Sequence, residues 1–167
     1  MSGNDDYVEG ENSIENFAFL IDNHEEEKIK KIIDRNDVFK GFPPLFIAGM
    51  HTNGTWVLTK FGTKANLSKG CDSKLTDLAE HLGLDVDADI LNDIGFTPLM
   101  LAVMFGPPKS VEIILSKVGK EGMNEETKGH YTAKVFANCR DDDSIRKLFQ
   151  AGGKRAQCAP CQACSVM

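Results

Sequence analysis

Residues 95–102 read Gly-Phe-Thr-Pro-Leu-Met-Leu-Ala, and they constrain the fold more than any other stretch. A threonine hydroxyl at position 97 can cap a helix start by accepting a backbone N–H of the first turn. Pro98 then falls at the first helical position, where its missing N–H costs nothing and its fixed φ already suits the helix. Asn92-Asp93-Ile94-Gly95 ahead of it is a turn. The spacing predicts a helix from Thr97 to Phe105. Gly106-Pro107-Pro108 should end it, and a second helix should run from Lys109 to Lys117. Leu99 and Ala102 share one face of the first helix. The small Ala102 lets a neighbouring helix approach closely. Val111, Ile114 and Leu115 give the second helix its apolar face.

The same order of turn, helix, turn and helix recurs. In Gly41-Phe42-Pro43-Pro44-Leu45-Phe46-Ile47-Ala48, the Pro, Leu and Ala are kept and the Thr is lost. Gly129-His130-Tyr131-Thr132-Ala133-Lys134 shifts the Thr by one and loses the Leu. Gly95 and Gly129 are 34 residues apart, and Gly41 and Gly95 are 54 apart, one period plus a remainder. This pattern resembles the ankyrin repeat, most closely at Gly95, Thr97, Pro98, Leu99 and Ala102, with Met100 standing where that family has His. The resemblance implies an all-α solenoid of helix-turn-helix units over 13–153. It would have about three to four repeats, starting near 13, 41, 95 and 129, with degenerate terminal caps. It also implies a protein without catalysis or cofactor, which holds an unidentified protein partner in a groove of loop tips and first helices.

The N-terminal cap would be a helical hairpin. Ser13 is an N-cap candidate ahead of Ile14, Phe17, Ala18 and Ile21, and Ile29, Ile32 and Ile33 form the apolar stripe of a second helix over 24–35. The segment about 51–90 is irregular. Residues 56–70 fit the second helix of the repeat begun at Gly41, with a short irregular repeat over 74–90. An insertion over 51–72 fits as well. Leu75, Leu78, Ala79 and Leu82 are spaced as a helix face in either case.

Composition removes several classes of function. With 41% apolar and 26% charged residues over 167 positions, the chain fits one soluble domain of ordinary size. A net charge of −6 speaks against a nucleic-acid partner, which needs a basic face. Residues 1–12 are acidic and polar and read as disordered, without the basic and apolar regions of a signal peptide. Cytoplasmic residence follows as the expectation, with reduced thiols. The phosphate-binding, nucleophile-elbow and zinc-protease motifs are missing from the sequence. His24, His51, His81 and His130 are scattered. Asp85, Asp87, Asp89 and Asp93 lack the Gly and terminal Glu of a calcium loop and read as turn residues. Trp56, the sole Trp, suits a binding hot spot or the core.

Past the repeats, 154–167 reads as a flexible tail containing Cys158, Cys161 and Cys164. Three thiols fall short of the four ligands of a closed zinc site. With Met167 as the natural chain end, Cys164-Ser165-Val166-Met167 matches the C-a-a-X prenylation pattern, and Met favours farnesyl. One prenyl chain binds membranes weakly. Cys158 and Cys161 are candidate palmitoyl sites, and Lys154 and Arg155 would attract anionic lipid. The expectation is a membrane-tethered adaptor or regulator on the cytosolic face. The alternative is a soluble cytosolic module whose Cys tail binds zinc or senses redox state.

Overall fold

The computed structural model describes residues 13–149, and over them the protein is all-α. The chain begins with a hairpin of α1 (Ile14–Asp22) and α2 (Glu26–Asp34). Ser13 Oγ accepts the Asn16 N–H at 3.1 Å and starts α1. The next hairpin is α3 (Pro44–Met50) and α4 (Thr55–Phe61). Three short helices follow: α5 (Lys64–Ser68), α6 (Thr76–Leu82) and α7 (Ala88–Leu91). Then come α8 (Pro98–Phe105) with α9 (Pro108–Met123), and α10 (Ala133–Cys139) with α11 (Asp143–Leu148).

Side-chain caps begin five of these helices, α1, α5, α8, α10 and α11. Thr97 Oγ1 accepts the Met100 N–H at 3.3 Å, and Thr132 Oγ1 accepts the Val135 N–H at 3.4 Å. Asp142 Oδ1 accepts from Ser144 at 2.9 Å and begins α11. At α3 no side chain caps the start; Pro44 sits at the first helical position instead. α9 runs past the expected Lys117 to Met123, although Gly119, with φ 64° and ψ −161°, breaks it. Only glycine takes that conformation cheaply.

The first helices of the hairpins pack in series, α1 on α3, α3 on α8 and α8 on α10. Behind them α4 packs on α9 and α9 on α11, while the Lys60–Glu26 ion pair at 2.5 Å joins α4 to α2. Two helices share the stretch 56–70: α4 packs on α3 and α9, and α5 packs on α9 and α8. Residues 62–97, with α5, α6 and α7, stand between the second and third hairpins.

The apolar core is one cluster running the length of this stack. At its centre α3 and α8 cross tightly. A Cβ added to Gly49 would meet the Ala102 Cβ at 3.6 Å, ordinary van der Waals contact. Pro98 to Met104 are all buried, so α8 is apolar all round, as a helix enclosed on every side must be.

Donors from one hairpin also satisfy the carbonyls that end a helix of the hairpin before. Trp56 Nε1–H donates to Ile21 O at 3.1 Å, near the end of α1. Lys117 Nζ donates to Thr59 O at 2.8 Å and Gly62 O at 2.7 Å, at the end of α4. Arg140 Nη1 donates to Val103 O at 3.0 Å and Gly106 O at 2.6 Å, at the end of α8. Helix C-termini carry carbonyls without intrahelical partners and a partial negative charge, which a donor or cation meets at once.

Candidate interaction surface

Each of α3, α8 and α10 is preceded by a turn closed with an isolated antiparallel bridge: Phe39 with Phe42, Cys71 with Phe96, and Glu126 with Thr132. The bridges end two residues before α3 and α8 and one residue before α10, and the turns form a row along the stack.

The first turn is minimal. Phe39 N–H donates to Phe42 O at 2.8 Å and Phe42 N–H to Phe39 O at 3.0 Å. Lys40 and Gly41 between them have φ of 52° and 90°, the pattern of a primed hairpin turn. Gly41 takes this freely, but Lys40 carries a side chain in a region that L-residues disfavour. The third turn spans 127–131, with exposed Lys128, Gly129 and His130 at its tip.

The second turn is greatly enlarged. Cys71 N–H donates to Phe96 O at 2.8 Å and Gly95 N–H to Cys71 O at 2.7 Å, and everything from 72 to 94 is the excursion between, including α6 and α7. Leu75, Leu78, Ala79 and Ile90 from this excursion are buried, so it is packed chain and not a loose loop.

The turns are bonded to each other. Gly41 O accepts from Ser73 Oγ at 2.7 Å and from the Cys71 thiol at 3.3 Å, joining the first turn to the second. Lys128 N–H donates to Ile94 O at 2.9 Å, joining the second to the third. Asp93 reinforces that joint. Its Oδ1 accepts from Ile94 N–H and from Gly129 N–H, both at 2.9 Å. Its other carboxylate oxygen would lie 2.8 Å from a Cβ at Gly129, so a side chain there would press on the Asp93 carboxylate. Sequence reasoning took Asp93 for a turn residue and missed this second role, which depends on a contact 36 positions away. Gly95 has φ 92° and faces the Thr127 Cα, which a Cβ would approach to 3.3 Å.

The enlarged turn also reaches the first hairpin. His81 of α6 and Glu15 of α1 meet at 2.5 Å, Nε2 to Oε1. Next to this pair is a cavity of about 330 Å³ lined by Lys40, Asp77, Glu80 and His81. The Glu15 carboxyl is held below its ordinary range, chiefly by hydrogen bonding to its own backbone, with the His81 imidazole and the Lys40 charge adding to it and slight burial opposing.

The other singled-out residues are placed as follows. Thr97, Pro98, Leu99 and Ala102 are buried and build the stack. Trp56 is half-buried, bonded to α1 and stacked on His24 with ring centroids 4.7 Å apart, so it joins the first two hairpins. His51 accepts Asn53 N–H at Nδ1 and faces Asp22 with Nε2 at 3.5 Å, and His130 pairs with Glu126 at 3.0 Å. The four histidines thus have separate partners. Among the described residues no three His, Cys, Asp or Glu side chains are grouped to hold a metal ion. Among them, too, no helix is long and apolar enough to cross a membrane. Residues 1–12 and the tail cysteines Cys158, Cys161 and Cys164 lie outside the described residues.

The class these observations define is an all-α stack of helical hairpins with a cross-bonded row of turns. Compared with family models, curated proteins and solved structures, the chain matches none.

Proposed function

We propose that the chain is a non-catalytic protein-binding module of the ankyrin-repeat type, acting as an adaptor or regulator of another protein. The observation that carries this reading is the row of turns. Three successive turns, tied by the Ser73–Gly41, Lys128–Ile94 and Asp93–Gly129 hydrogen bonds, make a continuous edge, exposed at Lys40 and at Lys128, Gly129 and His130. Rigid, preorganised edges lose little entropy when a partner docks. The resemblance at Gly95–Ala102 supports the same reading.

The tail adds a tether to this proposal. Cys164 would carry a farnesyl group, with Cys158 and Cys161 as palmitoyl acceptors, placing the module on the cytosolic face of a membrane. Metabolic labelling with a farnesyl analogue tests it. Label on the wild type and none on Cys164→Ser is expected, and an unlabelled wild type ends the tether reading. Zinc on the unlipidated protein that disappears when Cys158 and Cys161 are changed favours the soluble alternative. The binding edge is tested separately by Lys128→Glu at the exposed third tip. This change should leave stability within about 0.5 kcal/mol and weaken a partner captured by the wild type. A partner bound equally by charge-reversed variants at all three turns sinks the edge assignment.

A further inference from the structure

We propose that α6 is the arm of a strap fastened to the first hairpin by a proton-dependent latch, the His81–Glu15 pair. The arm is attached in two unlike ways. At its root, Leu75, Leu78, Ala79 and Ile90 are buried, and Ser73 and Cys71 bond Gly41 O, so that end is permanent. At its far end the contact is polar. His81 and Glu15 meet at 2.5 Å, with side chains 27% and 69% exposed, across 66 positions of sequence. Beside the latch, α6 leaves a cavity of about 330 Å³ against the Lys40 turn, so this end is not close-packed.

The charges facing the latch are Lys40 from the first turn, Glu15 from α1, and Asp77 and Glu80 from α6 itself. Histidine is the side chain whose charge can change within the physiological pH window. The Glu15 carboxyl, held low by its backbone, His81 and Lys40, stays ionised throughout that window. A neutral His81 gives the latch an ordinary hydrogen bond. An imidazolium makes it charge-assisted, about twice as strong, and places a positive charge in a cavity also lined by Asp77 and Glu80. The latch therefore tightens as pH falls from 8 to 6 and slackens as it rises. Slackening lifts the far end of α6 off the Lys40 turn and opens the cavity, while the root stays seated.

Hydrogen exchange on the full chain at pH 6.0 and 8.0, corrected for intrinsic rates, tests this. The readout is the Leu84 amide, which bonds Ala79 O at 2.8 Å at the end of α6, with Leu101 in α8 as the reference. The wild type should be about two- to fivefold more protected at pH 6.0, the scale of one exposed ion pair. His81→Gln should be equally weak at both pH values, and His81→Lys, a permanent cation, equally strong at both. Trp56 emission verifies that each variant is folded. Wild-type protection unchanged between the two pH values overturns the proposal, as does the same pH dependence in His81→Gln.

Discussion

α8 and α2 are helices of the same stack, yet their residues follow different rules. In α2, Ile29 and Ile32 are buried and Glu27, Lys30, Lys31 and Asp34 face solvent, giving one apolar stripe. In α8 every residue from Pro98 to Met104 is buried. α2 belongs to the first described hairpin and meets neighbours on one side. α8 lies between α3, α9 and α10, with α5 against it as well. Position in a stack thus decides whether a helix shows periodicity at all. At the edge the 3.6-residue pattern is intact, and at the centre it vanishes because no face is left for water.

The largest expected effect exploits that difference. Leu99→Ala removes a fully buried side chain of α8 and should cost about 3–5 kcal/mol, whereas Ile32→Ala, 8% exposed in α2, should cost about 2 kcal/mol because the site can relax. Urea unfolding followed through Trp56 measures both. Equal costs would mean that the stack does not unfold from a common core.

Glycines sharpen the comparison next. A Cβ on Gly106 would lie 2.2 Å from Gly49 O, backbone against backbone at the centre of the stack, so Gly106→Ala should cost about 3 kcal/mol. Gly83, ending α6, has φ 66° and open space around it. Gly83→Ala therefore meets only the left-handed backbone penalty, about 1 kcal/mol. Midpoints in urea should rank wild type, Gly83→Ala, Gly106→Ala. The reverse order would relocate the tightest crossing.

The links between hairpins come third. Arg140 donates two charged hydrogen bonds to the end of α8, and Trp56 one neutral bond to the end of α1. Arg140→Met keeps the aliphatic stem and leaves two carbonyls without this donor, at about 1.5–3 kcal/mol. Trp56→Phe keeps an aromatic ring against His24 and loses about 1 kcal/mol, measured by circular dichroism since the reporter is gone. If the two losses are equal, the charge on Arg140 adds nothing at this helix terminus.

What the sequence disclosed follows from the range of each contact. Caps are local: Ser13 and Thr97 act within three residues, and each was readable in place. The enlarged turn was not, because its closing bridge joins Cys71 to Phe96 and no residue near either marks the other. Helix α4 was ambiguous for a related reason. It begins after Gly54 without a side-chain cap, and its identity is set by packing against α3 and α9. Trp56 could be read two ways until its N–H was placed against Ile21 O. Asp93 looked like any turn aspartate because Gly129, its second partner, arrives from the next turn. The all-α class rests on local signals and was accessible; the interaction surface is built from contacts between hairpins and was not.

The smallest expected effect lies in the turn row and has the opposite sign. Lys40 is held at φ 52° between the two bridging phenylalanines, with Gly41 at 90°. Asn tolerates this region better than Lys, and Asn-Gly is the preferred pair for a primed two-residue turn. Lys40→Asn should therefore raise stability by a few tenths of a kcal/mol, up to about 1. The same change removes the cation from the cavity beside Asp77 and Glu80, leaving their charges less balanced and offsetting part of the gain. Salt separates the two terms, because screening weakens the electrostatic loss and leaves the backbone gain untouched. The stabilisation should grow between low and high ionic strength. A gain that shrinks with salt would show that the backbone strain at Lys40 is not what limits this turn.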